Sequence, residues 1–138
     1  MPINNDEYPI AISINTILDQ YDEYDDLSIH FGEKASELKI KLYFEERNKK
    51  IEIFFDFIYG FRVLGEDDLM EFWKDYKTKD VGWILEIKKN GWYDLECKRN
   101  GFLPKTYSTM PYKEFMITSD DLCINVFAAK KPEVFYID

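Results

Sequence analysis

Phe54-Phe-Asp-Phe-Ile-Tyr-Gly-Phe-Arg-Val-Leu-Gly-Glu-Asp-Asp-Leu-Met-Glu-Phe-Trp73 sets the densest apolar run of the chain directly against its clearest amphipathic helical pattern. In the extended geometry of a strand, Ile51, Ile53, Phe55 and Phe57 share one face and Phe54 and Ile58 the other. Residues 51–58 therefore read as a central strand covered on both sides. Gly60 and Gly65 flank Phe61-Arg62-Val63-Leu64, which reads as a strand continuing past a bulge or bend and stopping at a turn. From Glu66 the period changes. Leu69, Phe72, Trp73 and Tyr76 follow the i, i+3, i+4, i+7 spacing of one helical stripe, which predicts a helix over about 66–76. Glu66, Asp67 and Asp68 lie in its first turn and Lys74 and Lys77 near its end, as the helix macrodipole favours.

Upstream, Ile10, Ile12 and Ile14 alternate, and Ile14, Ile17, Leu18 and Tyr21 fit a helical stripe. A short strand running into a helical turn around 14–21 satisfies both. Leu27, Ile29 and Phe31 alternate with polar residues, and Leu38, Ile40, Leu42 and Phe44 do so more strongly. The polar Glu45-Glu-Arg-Asn-Lys-Lys50 then joins strands 37–44 and 50–58 into an antiparallel hairpin. Downstream, Val81, Trp83, Leu85 and Ile87 alternate, and Asn90-Gly91 suits a type I′ turn with a return strand over Trp92–Lys98. Residues 99–112 read as a long loop. Lys113–Thr118 and Leu122–Ala128 form a further hairpin, and after Pro132 the run Val134–Ile137 offers a terminal edge strand. The sum is one α+β domain over 1–138: a mostly antiparallel, curled sheet of seven or eight strands with one main helix, 66–76, on one face.

The formal net charge is −9, and its placement is informative. Residues 1–33 hold eight carboxylates and no Lys or Arg, leaving 19 acidic against 18 basic residues elsewhere. This local field repels nucleic acid and anionic membranes and attracts a basic partner. No apolar run approaches the roughly 20 residues of a membrane span. Met-Pro-Ile-Asn-Asn-Asp-Glu lacks the basic and apolar regions of a secretory signal, so a cytoplasmic protein is expected. Cys97 and Cys123 are then expected as buried or half-buried thiols.

No catalytic motif emerges. His30 is the single histidine and alternates outward on its strand; phosphate-binding glycine loops, Gly-x-Ser-x-Gly and Cys-x-x-Cys are absent from the sequence. Asp22, Glu23, Asp25 and Asp26 lack the spacing of a calcium loop, so no metal and no cofactor is expected. The distinctive feature is Asp19-Gln-Tyr-Asp-Glu-Tyr-Asp-Asp26, where Tyr21 and Tyr24 lie among the acids. Tyrosine brings apolar area with a polar tip to interfaces.

The order strand, Gly60-Phe-Arg-Val-Leu-Gly-Glu-Asp-Asp-Leu69, helix ending in Phe72-Trp73, tryptophan strand, and Pro111-Tyr-Lys-Glu-Phe-Met-Ile-Thr-Ser-Asp-Asp-Leu-Cys-Ile-Asn-Val-Phe127 resembles the small acidic bacterial immunity proteins of contact-dependent inhibition and other polymorphic toxin systems. The resemblance spans roughly residues 50–135. It implies a non-enzymatic cytoplasmic protein that binds and neutralises one cognate toxin domain, often a nuclease. With the acid segment it yields an expected partner surface: Asp19, Tyr21, Asp22, Glu23, Tyr24, Asp25 and Asp26, extended by Glu66, Asp67 and Asp68, against a basic toxin domain. Two other expectations stand beside it. One is a small-ligand or carbohydrate module using Trp83, Trp92, Tyr93 and the 99–112 loop; the other is a carboxylate-dependent hydrolase.

Overall fold

A computed structural model describes residues 10–65, 82–101, 112–119 and 122–137. Among these, nine strands form two antiparallel sheets. β1 (Ile10–Ile14) leads into a 3-10 turn at Ile17–Gln20. β2 (Asp26–Gly32), β3 (Glu37–Phe44) and β4 (Lys49–Phe55) follow as a meander. After β5 (Ile58–Gly65) and β6 (Ile84–Lys89) comes a five-residue helix, α1 (Trp92–Glu96). The chain then forms β7 (Lys113–Thr118), β8 (Leu122–Ala128) and β9 (Glu133–Ile137). One sheet has the order β1-β6-β7-β8-β5 and the other β2-β3-β4-β9.

The expected single curled sheet of seven or eight strands is thus corrected to two sheets with nine strands among the described residues, which are mostly β rather than α+β. The reason lies inside the opening stretch. Residue 57 was expected on the buried face of a continuous strand, but β4 ends at Phe55. Phe57 takes the left-handed conformation, φ 53°, and its ring is 57% exposed. This bend ends the pairing with β3 and sends the chain into the other sheet, where Ile58 starts β5 beside β8. Ile58 N–H donates to the Ser36 carbonyl at 2.8 Å, linking the crossing to the β2–β3 turn. The helix expected at 66–76 lies outside the described residues, and within them the helical elements are α1 and the 3-10 turn.

A second correction falls on 92–98, expected as the return strand of a hairpin. Asn90 does adopt φ 63°, but Gly91 has φ −102°, so the pair does not make a type I′ turn. The chain coils instead. Leu95 N–H donates to Gly91 O and Cys97 N–H to Tyr93 O, while the Asp94 carboxylate accepts the Asn90 N–H at 2.7 Å. Trp92 stacks on Phe127 at 4.0 Å between centroids, and Tyr93 meets the same ring edge-on at 5.6 Å, so α1 lies over β8.

The other hairpins follow their alternation. Leu38, Ile40, Leu42 and Phe44 of β3 and Ile51, Ile53 and Phe55 of β4 are buried on one face. They meet Ile84, Phe115, Ile117, Ile124 and Val126 of the second sheet in one shared core, so the sheets pack face to face. Phe55 and Phe115 touch across the gap at 5.8 Å. Each such side chain contributes about 1.5–3 kcal/mol by leaving water. β9 pairs with β4 at the sheet margin, as its sequence position after Pro132 suggests. Cys97 is half-buried and Cys123 buried.

Candidate functional site

The acid segment runs from the 3-10 turn to the first residue of β2, and the structure divides its residues into two groups. Asp19 is a cap. Its Oδ2 accepts the Thr16 N–H at 2.9 Å while Thr16 Oγ1 accepts the Leu18 N–H, and its Oδ1 accepts the Trp83 N–H at 3.3 Å. Tyr21 is 7% exposed and belongs to the core, 4.3 Å from the Phe44 ring, with its hydroxyl 3.2 Å from that of Tyr136. Tyr24 is half-buried and 6.3 Å from Trp83. The Trp83 indole N–H donates to the Tyr21 carbonyl at 2.9 Å. These contacts anchor the segment from below.

The second group faces outward. Asp22, Glu23, Asp25 and Asp26 are exposed. Antiparallel register sets Asp26 against Tyr43, which brings the start of β2 beside the β3–β4 turn. There the Asp25 carboxylate accepts the Glu45 N–H at 2.6 Å, and Asp25 N–H donates to Tyr43 O at 2.8 Å. Glu45 and Glu46, also exposed, therefore join the same edge. In the sequence these two were part of a polar connection, and only strand register reveals them as neighbours of residues 22–26. None of the six carboxylates is ion-paired among the described residues. The nearby Arg47 guanidinium lies over the Tyr21 ring at 4.8 Å. Glu66, Asp67 and Asp68 lie outside the described residues.

A second polar cluster sits on the outer face of the five-stranded sheet, beneath α1. Glu114 is 2% exposed. Its Oε1 accepts the Tyr93 N–H at 2.8 Å and its Oε2 accepts the Asn125 amide at 3.1 Å. Burial pushes the Glu114 carboxyl above its ordinary value, against the lowering effect of these donors, the Trp92 N–H and the Arg62 charge. Arg62 Nε donates to Asn125 Oδ1 at 3.2 Å, and its guanidinium covers the Trp92 ring at 4.7 Å. Trp92 in turn donates to Glu96 Oε1 at 3.1 Å, while Glu96 also accepts from Arg99. The Arg99 bond holds Glu96 below the ordinary carboxyl range. The sequence signal for this cluster was Glu114 and Asn125 interrupting otherwise apolar strands.

No family model matches this chain. No curated protein and no solved structure matches it either.

The aromatic platform expected from Trp83, Trp92 and Tyr93 is not one surface. Trp83 is buried in the core beside Phe44, whereas Trp92 and Tyr93 are half-buried over Phe127. His30 is exposed, with Nε2 3.0 Å from Ser28 Oγ. Among the described residues no group of three or more His, Cys, Asp or Glu is placed to hold a metal. No helix among them is long and apolar enough to cross a membrane.

Proposed function

We propose that this protein is an immunity-type binding protein of the cytoplasm, which neutralises a cognate basic toxin domain, of nuclease kind, by docking through its acidic edge. One observation supports this above the rest. Asp22, Glu23, Asp25, Asp26, Glu45 and Glu46 come from two separate parts of the sequence, yet they share one edge with no cation paired to any of them among the described residues. Like charges held together raise the energy of the free protein, and a basic surface relieves it. A nuclease presents cations to hold phosphate, so an acidic edge is complementary to that site and steers association. The buried Tyr21 and the cap at Asp19 make the edge rigid, which lowers the ordering cost of docking.

The test is association kinetics with the product of the neighbouring reading frame. Asp22→Asn, Glu23→Gln, Asp26→Asn, Glu45→Gln and Glu46→Gln are combined, leaving Asp19 and Asp25 intact. The rate should fall about tenfold or more at low salt and lose most of its ionic-strength dependence, with the thermal midpoint preserved. Unchanged kinetics with a folded variant reject the edge as the docking surface.

A further inference from the structure

The two sheets differ on the sides they turn away from the core. The five-stranded sheet carries α1 over β8. The outer face of β2-β3-β4-β9 has no such cover among the described residues, and Phe135 on it is 37% exposed. Antiparallel register arranges this face in three rows across the four strands. His30, Lys39, Phe54 and Glu133 lie side by side, then Ser28, Lys41, Glu52 and Phe135, then Asp26, Tyr43, Lys50 and Ile137. Their neighbours along each strand, such as Ile29, Ile40, Ile53 and Val134, belong to the shared core, so by alternation the three rows point away from it.

Three lysines and three carboxylates therefore balance on one face of a protein whose net charge is −9. None of these six groups is ion-paired among the described residues. Their order across the strands is self-complementary. A second copy turned over a two-fold axis that runs parallel to the strands, between β3 and β4, lays β3 on β4 and β2 on β9. Lys41 then faces Glu52 of the second copy and His30 faces its Glu133, and each contact occurs twice. Lys50 meets a Tyr43 ring and Lys39 a Phe54 ring. No like charges are opposed, whereas an axis along β3 or β4 itself would set Lys41 on Lys41 or Glu52 on Glu52. The small angle of aligned sheet packing, about 30°, keeps these pairs within reach of long side chains.

We propose that the outer face of β2-β3-β4-β9 is the contact surface of a homodimer built on this two-fold axis. Four strands carrying three rows make a contact smaller than the 20–30 residues a side of a standard interface, so the dimer is weak, with a Kd on the order of 10 µM or above. Of the acidic edge only Asp26 falls within the contact, and the dimer does not rest on the toxin-binding reading.

Sedimentation velocity is run from about 1 µM to about 500 µM, spanning that constant, at physiological ionic strength, where a Debye length of about 8 Å screens the net charges. The average mass should climb from 16.6 kDa toward twice that value. Lys41→Glu, at an exposed position, should weaken association at least about tenfold, because carboxylates then oppose each other at both contacts. Glu52→Lys should do the same by opposing lysines. Mixing the two variants should restore the dimer, since each supplies the charge the other lacks, and damage confined to one chain would not be repaired in this way. Circular dichroism checks that each variant is folded. Because Glu52 is buried, dilution of the unaltered chain followed by amide NMR provides a measurement that needs no variant, and the shifts should centre on Lys41, Glu52 and Phe135. A monomer across the whole range overturns the proposal, as does undiminished association of Lys41→Glu. A mixture of folded variants that stays monomeric, or dilution shifts confined to another surface, does the same.

Discussion

The indole N–H of Trp83 donates to the backbone carbonyl of Tyr21 at 2.9 Å, tying the acid-bearing segment to the residue that precedes β6 in the opposite sheet. Both residues are buried, so the carbonyl has no solvent to fall back on. Trp83→Phe retains an aromatic ring but removes the donor. It should lower unfolding free energy by about 1–3 kcal/mol in urea titration, most of it from the orphaned carbonyl. Hydrogen exchange should also quicken in residues 19–25.

Neighbouring acids in the segment should respond differently to the same kind of change. Asp19→Ala removes an oxygen that caps the 3-10 turn and another that holds the Trp83 N–H. A loss of about 0.5–2 kcal/mol is expected. Asp22→Ala and Glu23→Ala, both exposed, should stay within about 0.5 kcal/mol. Thermal melts of the three variants under one buffer make the comparison.

Gly91 packs against the buried carboxylate of the outer cluster. A Cβ there would lie 2.5 Å from Ile87 Cγ2 and 2.7 Å from Glu114 Oε1. Gly91→Ala should therefore push α1 off the sheet, at a cost of about 1–3 kcal/mol. Trp92 fluorescence should shift red as its ring leaves Phe127.

Glu114 and Glu96 should give opposite pH signatures. The folded pKa of Glu114 is raised above 4.5, chiefly by burial, so between 4.5 and that raised value the native state binds more protons than the unfolded chain. Stability then falls as pH rises through this window. Glu96 is lowered, chiefly by the Arg99 hydrogen bond, so its contribution is present above 4.5 and lost as pH falls through its folded value. Urea unfolding across this range should show both limbs. Glu114→Gln should abolish the upper one and leave the lower.

In the core, Phe115 is fully buried and meets Phe55 across the sheets. Phe115→Ala should cost about 3–5 kcal/mol, from lost transfer energy and the remaining cavity. Equilibrium denaturation measures this loss; a markedly smaller one would mean that the two sheets close on the gap.

Local pattern made several elements legible. The alternation in 37–44 and 50–58, joined by Glu45–Lys50, predicts the β3–β4 pairing as far as Phe55, because a hairpin's partners are adjacent in sequence. The β7–β8 pairing follows in the same way. Phe57 was misread because its alternation with Phe55 is indistinguishable from that of a longer strand. Its positive φ is imposed by the crossing between sheets, not by its own preference. Residues 92–98 depart from the expected return strand because the reward for coiling is remote in sequence. Glu114 takes the Tyr93 N–H from 21 residues away, and Phe127 receives both rings.

The sequence by itself determined which residues are apolar at period two, where the β3–β4 and β7–β8 hairpins fall, and that acidity is concentrated in residues 1–33. All three are properties of neighbouring residues. Tertiary structure decided the division into two sheets and the burial of Tyr21. It also decided the diversion of Asp19 into a cap and the joining of Glu45 and Glu46 to the acidic edge. Each depends on contacts between distant segments. Their energies arise only when the strands have registered and packed, and no local period records them.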